Sequence, residues 1–278
     1  MRYIGNKENI LDKIYSILKE NNISGKTFFD FFSGTANVSK FFKEKNYQVF
    51  SSDILYLSYC LQKAYIENNE SPKFDKLIEI IPKNEFDNLF ATPLETVVSY
   101  LNSIKGVEGF IYKNYTPTGT ENLPRQRMYF IDENGKRIDA IRLKIEDWKN
   151  QSLISENEYF ILLACLIETI GFYSNVAGVY AAFHKSWDPR ALKPLTMRTI
   201  QLLNNNQKNI VYNDDSMNLL DKIDVDILYL DPPYNERQYA PNYHILETIA
   251  KYDAPELRGV TGMRDYSSQK SRFCNQNT

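Results

Sequence analysis

A chain of 278 residues, 43% hydrophobic and 24% charged, is long enough for one large domain or for one domain carrying an insertion, and a globular fold is expected. Thirty-three Lys and Arg against thirty-five Asp and Glu leave a formal charge of −2, which excludes a surface that is basic all over; contact with a polyanion has to be local. No apolar run approaches the ~20 residues of a membrane span, and the opening MRYIGNKENIL lacks the apolar centre of a signal peptide, so a cytoplasmic location without membrane attachment is expected.

The first element is a helix over about 7–20, where Ile10, Leu11, Ile14, Ile17 and Leu18 recur at helical spacing. Thr27-Phe28-Phe29-Asp30-Phe31-Phe32 is a short apolar run closed by Ser33-Gly34-Thr35-Ala36-Asn37, and Val38, Phe41 and Phe42 then resume helical spacing. A second run, 47–52, stops at Asp53. Strand, tight turn, helix and strand make 27–53 a βαβ unit, the building block of a parallel sheet. The same grammar returns late in the chain, where 209–212 and 225–230 flank a short helix from about 216 to 220.

Between these halves the pattern is mainly helical. Ser155-Glu156-Asn157-Glu158 is a capping box opening a helix through Tyr159, Leu163, Ile167 and Ile170. The stretch 112–127, rich in Thr, Pro, Gly and Asn, reads as an exposed loop, and Glu133-Asn134-Gly135 as a turn. Cys60, Cys165 and Cys274 stand far apart with no C-x-x-C pair, so reduced thiols and no metal cluster are expected.

Three features carry chemistry. A strand that ends in Phe32-Ser33-Gly34-Thr35 brings backbone close to a ligand at the carboxyl edge of a parallel sheet, and an acid ending the next strand, Asp53, is placed to accept hydrogen bonds from ribose hydroxyls. An ordinary βα loop explains that pair equally well. Asp231-Pro232-Pro233-Tyr234 is more specific: at residue frequencies of about 5% each it arises by chance in roughly one chain of this length in several hundred. It follows the fourth expected strand and opens at the same edge, where prolines stiffen the turn and leave carbonyls free to accept. A stiff strand-ending turn would explain the prolines but not the flanking acid and tyrosine. Finally, His184, Lys185, Arg190, Lys193 and Arg198 face only Asp188 in the window 183–198, a candidate phosphate-contacting segment whose plain alternative is a solvated face.

Taken in order, Arg2-Tyr3-Ile4-Gly5-Asn6-Lys7, Phe29-Asp30-Phe31-Phe32-Ser33-Gly34-Thr35, Asp53, Asn213-Asp214-Asp215 and Asp231-Pro232-Pro233-Tyr234 resemble the adenine-specific DNA methyltransferases of the alpha arrangement, the group of Dam-like and many type II modification enzymes. The resemblance spans essentially the whole chain, including Asn175-Val176-Ala177-Gly178-Val179-Tyr180 with Lys185 and Trp187 after it. It implies an α/β fold, a Rossmann-like class I methyltransferase sheet formed by 1–59 and 208–278, with a mainly helical target-recognition insertion at 60–207. S-adenosylmethionine would be held by Tyr3 and Lys7, by the backbone around Asp30, Ser33 and Gly34, by Asp53 at the ribose and by Asp215, or alternatively Asp214, at the cofactor's adenine.

The same resemblance implies methylation of a flipped adenine on double-stranded DNA, in a restriction-modification setting with a cognate endonuclease as a possible partner. The acceptor would rest on Asp231, Pro232, Pro233 and Tyr234. An exocyclic amine conjugated with its ring is a poor nucleophile. Acceptors at Asp231 and at the Pro232 carbonyl would draw the lone pair back onto nitrogen, while Tyr234 stacks on a base that has left the duplex. Lys185, Arg190, Lys193 and Arg198 are the candidate DNA contacts.

Two departures stand out. The family turn usually carries a second glycine where this chain has Ala36, which costs about 1 kcal/mol if that position needs positive φ. The pattern also stops soon after the helix expected around 243–252, leaving strand 225–230 at a sheet edge, so a truncated reading frame, a fragment or one half of a split protein with a complementing C-terminal piece is expected. Methylation of a cytosine exocyclic amine and a non-catalytic DNA- or cofactor-binding remnant are the alternatives.

Overall fold

The computed structural model describes residues 4–82, 90–233 and 238–274. The chain divides into two compact units, one built from 2–71, 201–240 and 267–278, the other from 72–200 and 241–266 together with Met1.

The first unit is organised by four parallel strands, β1 (Thr27–Asp30), β2 (Gln48–Ser52), β3 (Ile210–Tyr212) and β4 (Ile227–Tyr229), in the order β3-β2-β1-β4. Phe29 stands opposite Phe50 on one side and Leu228 on the other, so the aromatic run lies in the centre of the sheet. Phe28, Phe29, Phe31 and Val49 are at most 2% exposed, as expected of strands covered on both faces. The helices are α1 (Leu11–Glu20), α2 (Asn37–Glu44) and α3 (Tyr56–Gln62), with a π-helical turn, Lys63–Glu67, continuing α3. Phe42 of α2 stacks on Phe28 with ring centroids 3.7 Å apart. The expected βαβ grammar holds, with strands one to three residues shorter than the apolar runs. β4 lies at the end of the sheet, and Leu228 is 42% exposed.

Lys43, fully buried on α2, donates to the carbonyls of Tyr65, Ile66 and Asn68 at 2.5–2.9 Å. Three carbonyls around one nitrogen call for the three donors of an ammonium group, and the charge lies where the end of a helical turn leaves carbonyls unpaired.

The second unit is mainly helical: α4 (Asp75–Ile80), α5 (Pro93–Ser103), α6 (Phe110–Tyr115), α7 (Asp132–Asn150), α8 (Glu156–Tyr173) and α9 (His244–Lys251). The capping box at Ser155 and Glu158 forms as expected, and a second one at Thr92 and Glu95 starts α5. Two loop expectations are corrected. Within 112–127 only 121–126 is an exposed stretch; Tyr115, Thr116, Thr120 and Arg127 are buried, and Asp139 caps α6 by accepting from the backbone of Ile111 and Tyr112 at 2.8 Å each. Glu133-Asn134-Gly135 is the first turn of α7. Gly135 fits because a Cβ there would come within 2.3 Å of Thr116, and the buried Asn134 side chain bonds the Lys193 carbonyl and the Leu195 amide. Tertiary packing overrides turn chemistry there.

A short antiparallel hairpin, β5 (Leu257–Arg258) and β6 (Met263–Arg264), completes this unit. Buried Arg127 donates to the carbonyls of Gly259 and Val260, and Tyr115 to that of Gly262. All three cysteines are buried and free. Among the described residues no helix is long and apolar enough to cross a membrane.

Candidate functional site

Parallel strands all finish at one edge, so the residues that end them converge there. In the first unit that edge opens into a cleft of about 1020 Å³ lined by Lys7, Asp30, Ser33, Gly34, Asp53, Asp214, Asp215, Asp231 and Pro233.

Each acid is held differently. Asp53 accepts from the Gly34 amide on one oxygen and the Leu55 amide on the other, both at 2.8 Å. This fixes the carboxylate plane at the edge of the cleft. Gly34 has φ +52, which turns the loop so that its amide faces Asp53. Ala36 two residues on has φ 61 and no exposed surface, so the position where a second glycine was expected does require a left-handed backbone.

Asp30 is 1% exposed and accepts from the amide and hydroxyl of Ser39 at 3.2 and 2.7 Å. Burial lifts its carboxyl to about 6 against those hydrogen bonds, and the charge of Asp231 adds to the rise. Asp215 starts the short 3-10 turn Ser216–Leu219, accepting from the Met217 amide at 3.1 Å. Its other oxygen lies 3.6 Å from Arg272 Nε. Asp214 accepts from Asn218, and Asn213 ties β3 to the end of β2 by donating to the carbonyls of Asp53 and Ile54.

Asp231 follows β4 and pairs with Lys7 at 2.8 Å, the two side chains being 29% and 19% exposed. Pro232 and Pro233 are half-buried, and Pro233 lines the cleft. Burial, with Asp231 and Asp30 nearby, pushes the Tyr229 phenol up, so it remains a neutral donor at this edge. Tyr3 and Tyr234 lie outside the described residues.

Sequence reasoning missed the segment 267–274, which returns to the same cleft with Gln269, Ser271, Arg272 and Phe273 on its lining. It also missed Ser39 and Gln238. Their only sequence signal is proximity to the motifs.

Lys185, Arg190, Lys193 and Arg198 belong to the second unit. Lys185, Lys193 and Arg198 are exposed, and Arg198 lies over the Phe172 ring at 5.3 Å. Arg190 is half-buried and engaged by Asp188, whose carboxyl those hydrogen bonds hold well below the usual range. The loop 175–188 is organised by Asn175, which donates to the carbonyls of Met128 and His184 and accepts from the Asp188 amide. His244 is fully buried, bonded to the Tyr180 carbonyl, and burial holds it down at about 4; it is a neutral packing residue.

The cleft thus combines amide-oriented carboxylates at three strand ends with a rigid Asp-Pro-Pro turn at a fourth, an arrangement suited to a ligand rich in N–H and O–H donors. Known proteins agree with that chemistry. The chain is 48% identical over 275 residues to the type II methyltransferase M.FokI of Planomicrobium okeanokoites, covering 99% of this chain and 40% of the relative. It is 39% identical over 277 residues to the modification methylase StsI of Streptococcus sanguinis, covering 98% and 40%. With the type II methyltransferase M.NlaIII of Neisseria lactamica the identity is 39% over 280 residues, covering 99% and 76%. The chain therefore spans about two fifths of the length of the first two relatives and three quarters of the third. No solved structure gives a significant match. The profile of the D12 class N6 adenine-specific DNA methyltransferases matches residues 3–278, and with the strand-end acids and the Asp-Pro-Pro turn in one cleft, the chain belongs to that family.

Proposed function

We propose that this chain transfers a methyl group from S-adenosylmethionine to the exocyclic N6 amine of adenine in double-stranded DNA, as the modification arm of a restriction-modification system. The observation that carries the reading is the convergence of Gly34, Asp53, Asp215 and Asp231 on one cleft at the carboxyl edge of a parallel sheet, in a chain of the N6-adenine family.

The residues present fit the cofactor. Asp53, oriented by two backbone amides on the cleft lining, is placed to accept from ribose hydroxyls. Asp215 is placed to accept from the cofactor's own adenine amine. Five aspartates on the lining favour a ligand bearing a sulfonium and an ammonium. When bound, the cofactor supplies an electrophilic methyl group on that sulfonium.

The chain's own part is alignment. Asp231 and the Pro232 carbonyl accept the two N–H bonds of the target amine, which favours a tetrahedral nitrogen with its lone pair directed at the methyl carbon. Lys7 holds the Asp231 carboxylate in place across 2.8 Å. Tyr234 stacks on the flipped base. The second unit, with Lys185, Lys193 and Arg198 exposed, serves target recognition and phosphate contact, a cognate endonuclease recognises the same sites, and a cytoplasmic location follows from the substrate.

Expression in a host without DNA methylation, followed by sequencing that detects modified bases, tests the reading. N6-methyladenine at one recognition sequence is expected. N4-methylcytosine in its place would overturn the choice of base, and unmodified DNA from well-folded chain that binds the cofactor would favour a non-catalytic remnant or a chain that needs a complementing C-terminal piece.

A further inference from the structure

The segment 267–274 is fastened to the cleft at several points. The Gln238 side-chain amide pairs reciprocally with the Ser271 backbone, donating to its carbonyl at 3.0 Å and accepting from its amide at 2.7 Å. Gln269, 7% exposed, donates to the Ile54 carbonyl at 3.5 Å, next to Asp53. Arg272 Nε lies 3.6 Å from Asp215, and the Phe273 ring meets Phe32 edge-on with centroids 5.2 Å apart. Yet Phe273 remains 41% exposed. A ring that only filled the core would be covered. Phe273 is instead held open on the lining of the cleft, beside Phe32 and Asp215. An apolar aromatic slot with one carboxylate acceptor suits a flat heteroaromatic ring carrying an exocyclic amine.

We propose that residues 267–274 form the outer wall of the purine end of the cofactor site, with the Phe273 ring lying against the purine and Gln238 and Arg272 fixing the wall. This rests on the methyltransferase reading and extends it. Because Gln238 lies seven residues beyond Asp231, the same side chain joins the purine wall to the turn that would carry the methyl acceptor.

The test is calorimetric binding of S-adenosylhomocysteine and of 5′-methylthioadenosine, which keeps the purine but lacks the amino-acid tail, to the full chain and its variants. Phe273→Leu, which keeps apolar bulk without the π-face, and Phe273→Ala are expected to weaken both ligands by the same factor, about 5- to 100-fold, with Phe273→Trp restoring binding. Gln238→Ala is expected to speed amide exchange across 267–274 and to weaken both ligands several-fold. Unchanged affinity of both ligands in Phe273→Leu would overturn the proposal while leaving the methyltransferase reading intact. Loss of the homocysteine-bearing ligand alone would also overturn it, since the wall would then serve the tail. Failure of the wild-type chain to bind either ligand would remove the methyltransferase reading and this proposal with it.

Discussion

Lys7 provides the sharpest discrimination within the site, because the family resemblance assigns it to the cofactor while the geometry pairs it with Asp231. The perturbation is Lys7→Met, which keeps the length and apolar stem and removes the ammonium. At 2.8 Å and an effective dielectric of about 20, the gross Coulomb attraction is about 6 kcal/mol. Desolvation and side-chain ordering offset most of it, leaving the ~1.5–3 kcal/mol typical of a hydrogen bond to a charged group. If that attraction holds Asp231 where the amine must donate, its loss raises the barrier by a similar amount, a decrease in kcat of about 10- to 100-fold. The assay is transfer of labelled methyl to a duplex at saturating DNA and cofactor, with cofactor affinity measured separately. A lower kcat with nearly unchanged cofactor affinity is expected. Unchanged kcat with a raised cofactor KM would refute the reasoning and return Lys7 to cofactor binding alone.

The other predictions concern the support of the cleft. Asp30 is raised from 3.8 to about 6 by burial, so the native state holds a proton that the unfolded chain has released between those values; the resulting stabilisation is full below pH ~4 and is lost as pH rises through 6, at most about 3 kcal/mol. Asp30→Asn should therefore gain on the wild type between pH 4 and 7 in denaturant melts, and parallel curves would count against it. Lys43→Met strands three buried carbonyls and should lower stability by about 3 kcal/mol, read from the urea midpoint; a change below 1 kcal/mol would mean the turn repacks. Ala36→Gly relieves about 1–2 kcal/mol of left-handed strain but removes a buried methyl worth about 0.8 kcal/mol and frees the unfolded chain by about 0.5–1 kcal/mol. A net change within about 1 kcal/mol of zero is expected, and a shift beyond 2 kcal/mol either way would show that one of these terms is misjudged.

What was legible in the sequence was what local chemistry dictates. Phe28, Phe29 and Val49 mark buried strands, Asp53 stands where a strand ends, and the Ser155 capping box announces α8 without reference to anything distant, whereas Asp215 is reached only through the family resemblance. What was illegible depended on partners far along the chain. Nothing near Gly135 says that Thr116 forbids a side chain there and that Asn134 is needed at Lys193 and Leu195. Arg127 looks like one more loop cation, yet it is buried under the turn of a hairpin more than a hundred residues later. Arg190 belongs to the basic window on paper, while Asp188, two residues away, engages it. The residues of 267–274 form no periodic pattern, so their return to the sheet edge is a tertiary fact.

The five aspartates of the cleft show why this matters for the chemistry. Left bare, so many carboxylates in one cavity would repel and take up protons. Each is instead met by its own donor: Ser39 at Asp30, two backbone amides at Asp53, Asn218 at Asp214, a helical-turn amide with Arg272 at Asp215, and Lys7 at Asp231. An ionised carboxylate can accept about four hydrogen bonds, and these donors set how each one is oriented. Asp30 is the exception in burial, which lifts its carboxyl to about 6. The cleft therefore holds oriented acceptors at fixed points. That suits alignment of an amine and a sulfonium better than proton transfer, and it locates specificity in the positions of the donors behind the acids as much as in the acids themselves.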